Sequence, residues 1–112
     1  MPEQSRPFEP FATRAMIRTM PDGRESPALV DFEVPSLVRP EGGWSGPAWG
    51  CRWRLRGFPY EGTMTAYGED AVQAIYLAQV MAGATIAANP GEGELDWVAV
   101  PNFGFPTLPP PG

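Results

Sequence analysis

The sequence predicts an α+β domain: a four-stranded antiparallel sheet with one long apolar helix packed on one face. Three observations lead there. Four short runs alternate apolar and polar residues with the period of a strand. Turn signals rich in Pro and Gly separate them. One stretch, 71–88, carries no charge and has helical spacing. A chain of 112 residues fits one domain.

Residues 1–10 (MPEQSRPFEP) read as a flexible proline-rich lead-in, without the apolar core of a secretory signal. From Phe11 to Met20 the chain alternates, with Phe11, Thr13, Ala15 and Ile17 on one side and Arg14, Met16 and Arg18 on the other. Pro21-Asp22-Gly23 is a turn signal, because proline presets φ and glycine allows the reversal. Ala28 to Val34 alternates again, with Ala28, Val30, Phe32 and Val34 inward and Leu29, Asp31 and Glu33 outward. These two runs form a hairpin. Pro35 to Pro47 is a loop carrying Trp44, and Trp49 follows at its exit. Gly50 to Arg56 is the cleanest strand: Cys51, Trp53 and Leu55 point one way, and Arg52, Arg54 and Arg56 the other. Phe58 to Gly62 turns the chain, and Thr63 to Tyr67 is a fourth strand with Met64 and Ala66 inward.

Gly68 ends that strand and a helix begins near Glu69-Asp70, where acids satisfy free N–H groups and oppose the positive dipole end. Ala71, Ala74, Leu77, Ala78, Met81 and Thr85 share the face expected to pack, with Ile75 and Ala82 beside them. The opposite face, with Val72, Tyr76, Val80 and Gly83, lacks the charges that a water-exposed helix carries. A cover is therefore expected, either from Leu95 to Val100 folding back or from a second subunit. The stretch has the length of a short membrane span. Its glutamines and the missing flanking cations favour a soluble helix instead. The domain is expected over 11–100, and 101–112 reads as a proline-rich, polyproline-type tail.

The chemistry is bounded by what is missing. There is no histidine and no lysine, so every cation is arginine. His-based triads, His-ligated metal sites and Lys-based covalent chemistry are excluded. The expectation is a protein that binds rather than an enzyme, with no metal and no cofactor. Cys51 is the one cysteine and has no histidine to activate it, so it reads as a small buried hydrophobe. A single cysteine and no secretory signal point to a reducing, cytoplasmic setting.

Charge is unevenly spread. Residues 1–56 hold all eight arginines against seven acids, and residues 57–112 hold six acids and no cation, so the net −5 divides as +1 and −6. An acidic second half repels nucleic acid and attracts a basic surface. Glu61, Glu92, Glu94 and Asp96 are thus candidates for steering a basic partner, with Trp44, Trp49 and Trp97 as anchors, since tryptophan is a frequent interface hot spot. Alternatively, Arg14, Arg18, Arg52, Arg54 and Arg56 form a guanidinium face for a small anion in a homodimer. Asp31 and Glu33 lie on the outer face of the same sheet, where cross-strand charge pairs are ordinary. Glu69 and Asp70, adjacent on a helix, cap rather than catalyse.

The segment Cys51-Arg52-Trp53-Arg54-Leu55-Arg56-Gly57, followed by Tyr67-Gly68-Glu69-Asp70-Ala71-Val72-Gln73-Ala74, resembles a family of small uncharacterised bacterial domains. Their shared pattern is a C-x-aromatic strand and then G-x-D-x-x-Q-A opening an apolar helix. Gly68, Asp70, Gln73 and Ala74 match it, and the similarity runs over roughly 11–88. Such domains are similar to immunity proteins, which neutralise toxins delivered between bacteria. The missing catalytic side chains, the cation-free second half and the uncharged helix face predict a non-catalytic protein-binding domain. The resemblance implies its specific form, an immunity protein that occludes a basic toxin.

Overall fold

The computed structural model describes residues 6–40, 46–97 and 101–108. Six strands and one α-helix follow in the order β1 (Ala12–Thr19), β2 (Glu25–Phe32), β3 (Ser36–Val38), β4 (Ala48–Arg56), β5 (Thr63–Gly68), α1 (Ala71–Ala88) and β6 (Glu94–Leu95), before a 3₁₀ turn at Pro101–Gly104. The α+β class with an antiparallel sheet is as expected, but the described sheet has six strands, not four. The added two are short. β3 lies inside the expected loop, and β6 pairs with β1 through Arg18↔Leu95 and Thr19↔Glu94.

β1 and β2 form the expected hairpin, registered from Ala12↔Phe32 to Thr19↔Glu25. Gly23 turns it with φ at +88°, a region that glycine enters without steric cost. β4 pairs with β5 along one edge and with β2 along the other. β3 takes the rest of that second edge, continuing the line of β2 past a bend at Val34-Pro35. The bend turns Val34 out to 61 % exposure, so the last residue of the expected inward row is on the surface.

The core face carries Met16 from β1, Ala28, Val30 and Phe32 from β2, and Cys51, Trp53 and Leu55 from β4, all buried. Helix α1 packs over β4 and β5. Its buried line is Ala74, Ala78, Ala82, Gly83 and Ile86. That line is rotated from the expected one: Met81 is exposed and Gly83, assigned to the outer face, is buried. Small residues on this line let the helix backbone approach the large side chains of β4, Trp53 above all.

The expected cover divides differently. Leu95 joins the sheet beside β1 instead of crossing the helix, and Val98 to Val100 lie outside the described residues. Phe105, from the segment read as tail, is buried and meets Phe32 edge-on at 5.9 Å between ring centroids. The Tyr76 hydroxyl donates to the Thr107 carbonyl at 3.2 Å, tying this segment to α1. The helix therefore roofs one half of the core face and the C-terminal segment roofs the half over β1 and β2.

Candidate functional site

The matched motif is explained by the β5–α1 junction. A methyl group at Gly68 would lie 2.6 Å from the Ala74 nitrogen, so only glycine lets the strand end against the first helical turn. Asp70 is the N-cap, and its carboxylate accepts from Gln73 N at 2.7 Å. The Gln73 side-chain oxygen accepts in return from Glu69 N at 2.7 Å, a reciprocal capping arrangement. Ala74 is fully buried below. All four motif residues thus build a strand–helix joint. Glu69 and Asp70 are exposed and occupied in or beside this cap.

The five arginines proposed as one guanidinium face lie on opposite sides of the sheet. Arg14 and Arg18 sit on the core face, in step with Met16. Arg14 stacks on the Trp97 and Phe105 rings, 4.5 Å from each centroid, and donates to the Phe103 carbonyl at 3.1 Å. Arg18 is buried and donates to the Glu92 carbonyl at 2.6 Å and the Gly57 carbonyl at 2.9 Å. Both therefore pin segments from the C-terminal half onto the sheet.

Arg52, Arg54 and Arg56 do share the outer face, and carboxylates occupy them. Asp31 is fully buried and accepts from Thr13 Oγ1 at 2.6 Å, Arg54 Nε at 2.8 Å, and Arg56 Nε and Nη2 at 2.7 and 3.1 Å. Burial works against its ionisation, but the hydrogen bonds from Arg56, Thr13 and Arg54 outweigh that, and its carboxyl titrates below the ordinary value. Arg52 pairs with Glu33 at 3.5 Å. The expected outward direction of Asp31 and Glu33 is right, yet both are buried.

The lead-in supplies part of that burial, which the composition of residues 1–10 did not signal. Glu9 N donates to Glu33 Oε2 at 2.7 Å, Arg6 pairs with Glu33 at 3.3 Å, and Arg52 donates to the Arg6 carbonyl at 2.9 Å. Phe8 lies under the Arg54 and Arg52 guanidinium groups, at 4.2 and 5.4 Å. Residues 6–10 are thus a strap across β4. A lone aromatic between prolines, facing an arginine ladder, was the available sequence signal.

Cys51 is buried beneath this strap's anchor and donates to the Glu33 carbonyl at 3.4 Å. Burial, reinforced by the Glu33 charge, pushes its thiol up to about 11, so little of it is nucleophilic thiolate at neutral pH. Among the described residues, no group of three or more His, Cys, Asp or Glu is placed to hold a metal ion.

The acidic candidates gather in part. Arg18 bridges Gly57 and Glu92, so the turn carrying Glu61 and the loop carrying Glu92 lie side by side. Glu61 accepts from Gly57 N at 2.7 Å. Glu94 follows on β6, level with Thr19 and Glu25. Asp96 closes β6 by accepting from Ile17 N at 2.9 Å. All four acids are exposed. Trp97 is half-buried under Arg14 at the same edge, whereas Trp49 packs against the core opposite Leu37 and Gly68. Trp44 lies outside the described residues.

Fold and site together define a small α+β domain whose recognisable motif is architectural. The chain belongs to a family described as a domain of unknown function, DUF6968, whose model matches residues 16–107. That span takes in Phe105 and so reaches beyond the 11–88 resemblance. No curated protein and no solved structure matches the chain.

Proposed function

We propose that this is a non-catalytic, cytoplasmic protein-binding domain whose acidic end engages a basic partner surface. Immunity-type occlusion of a basic toxin is the specific form of that reading. The observation that carries it is an asymmetry in how the charges are used. Seven of the eight arginines (6, 14, 18, 24, 52, 54 and 56) have partners within the chain. Glu61 and Asp96 accept from the backbone N–H groups of Gly57 and Ile17, but none of Glu61, Glu92, Glu94 and Asp96 is neutralised by an ion pair among the described residues. Cations fasten the fold and carboxylates face the solvent at one end. Such a field accelerates encounter with a cationic protein and blocks it by bulk, without chemistry.

The test is capture from native lysate at low and high salt, with the wild-type chain and a Glu61→Gln/Glu92→Gln/Glu94→Gln variant as baits. A stoichiometric basic protein, held by wild type and released by salt or by the triple substitution, supports the reading. A partner held equally by both baits sinks the electrostatic mechanism.

A further inference from the structure

We infer that residues 101–108 are an intrachain stand-in for a ligand. The half of the core face over β1 and β2 is a cleft for an extended segment of another protein, with an aromatic residue followed by proline, and the chain's own segment blocks it. The way that segment is seated is the first support. Phe105 is buried, its ring edge-on to Phe32 at 5.9 Å between centroids and 4.5 Å from the Arg14 guanidinium. Two residues before it, the Phe103 carbonyl accepts from Arg14 Nη1 at 3.1 Å. Two residues after it, the Thr107 carbonyl accepts from the Tyr76 hydroxyl at 3.2 Å. One ring and two main-chain carbonyls are what a groove reads in an extended peptide, where pockets select alternate side chains and the backbone supplies hydrogen bonds.

Arg14 is the second support. It stands on the core face beside fully buried Met16, and no carboxylate pairs with it among the described residues. Its charge is met by the ring faces of Trp97 and Phe105 and by the Phe103 carbonyl. A guanidinium in that wall grips an aromatic ring when the cleft is filled and takes up water when it is vacated. An all-apolar wall would do only the first.

Backbone strain is the third. Phe103 has φ at +55°, a left-handed conformation that a bulky side chain adopts at a cost, and Gly104 follows at +78°. A methyl group at Gly104 would lie 2.9 Å from both Arg14 Nη1 and the Trp97 ring. The chain's own segment therefore reaches the cleft through a strained turn that depends on glycine. A segment from another protein needs no such turn and seats its ring without that strain. Residues 101–108 take part in no strand pairing among the described residues, so their release breaks no ladder. The inference is separate from the acidic-end reading, because it uses none of the four acids there.

The test uses the full chain and a fluorescently labelled peptide of residues 101–108, PNFGFPTL, read by anisotropy. Wild type binds the peptide weakly, because the intrachain copy competes for the cleft. Phe105→Ser vacates the cleft and binds about tenfold tighter or more, and a peptide carrying the same substitution loses that gain. Phe105→Leu keeps apolar bulk, loses the ring and serves in its place should Phe105→Ser unfold. In wild type, the amides of Phe103, Gly104, Phe105 and Thr107 exchange hydrogen through a local opening insensitive to low urea, while those of β2 exchange with global unfolding. A folded Phe105 variant that binds the peptide no better than wild type overturns the inference, as does exchange of the segment only together with β2. A wild-type chain of twice 12.2 kDa that Phe105→Ser returns to that mass places the segment in a second copy and overturns it too.

Discussion

Asp31→Asn is the sharpest probe of the outer face. The substitution keeps the shape of the side chain and removes its charge, leaving Arg54 and Arg56 without the carboxylate they share. Removing one partner of a buried ion pair costs about 3–5 kcal/mol. The Arg54 and Arg56 side chains are 27 % and 48 % exposed, so water recovers part of their solvation. The expected loss at pH 7 is therefore about 2–3 kcal/mol. For a chain of this length that is roughly 10 °C in melting temperature. The pH dependence carries the mechanism. The Asp31 carboxyl has a lowered pKa when folded, so its contribution is present above the unfolded value, about 3.9, and is lost as pH falls through the folded one. Urea unfolding of both proteins from pH 7 downward should show a constant gap to about pH 5 that closes in stronger acid. A gap below about 1 kcal/mol at pH 7, or one that does not close, refutes the account of Asp31 as the ionised hub of this face.

Three further outcomes are expected. Arg14→Ala removes two ring stacks and the bond to the Phe103 carbonyl, at about 2 kcal/mol, and should open the segment around Phe103 and Phe105 to chymotrypsin before the sheet is cut. Gly68→Ala forces a methyl group against the Ala74 nitrogen and should destabilise by about 1–3 kcal/mol, measured by thermal melting. The Cys51 thiol should resist iodoacetamide at pH 8 in the native protein and react rapidly in denaturant; equal rates would contradict its burial and raised pKa.

The sheet was legible where side chains alternate cleanly. Cys51, Trp53 and Leu55 against three arginines declared β4, and Asp70 declared the helix start. What escaped notice depends on long-range contact. β3 and β6 are three and two residues long, too short for any periodicity, and exist because β4 and β1 offer open edges. The helix carries no charge on any side, so charge does not mark the direction of the core. The true line through Ala74, Ala78, Ala82 and Ile86 emerges only against Trp53 and its neighbours. Prolines around Phe8 and Phe105 suggested free ends, yet each ring meets an arginine that the fold places beneath it. Asp31 and Glu33 pointed as expected and were buried by residues distant in sequence.

The fastening of the two ends to opposite faces also sets how the domain bears mechanical load. Glu33, Arg52 and Arg54 hold the N-terminal strap on the outer face, and Arg14 holds the C-terminal segment on the core face. Tension applied between the ends peels these attachments first, one guanidinium after another, before it reaches the eight-pair register of β1 and β2. Released and fully extended, residues 101–108 reach about 28 Å, which bounds the slack they add. Held between two anchored points, the domain lengthens well before it unfolds, and its arginines act as graded brakes on that extension.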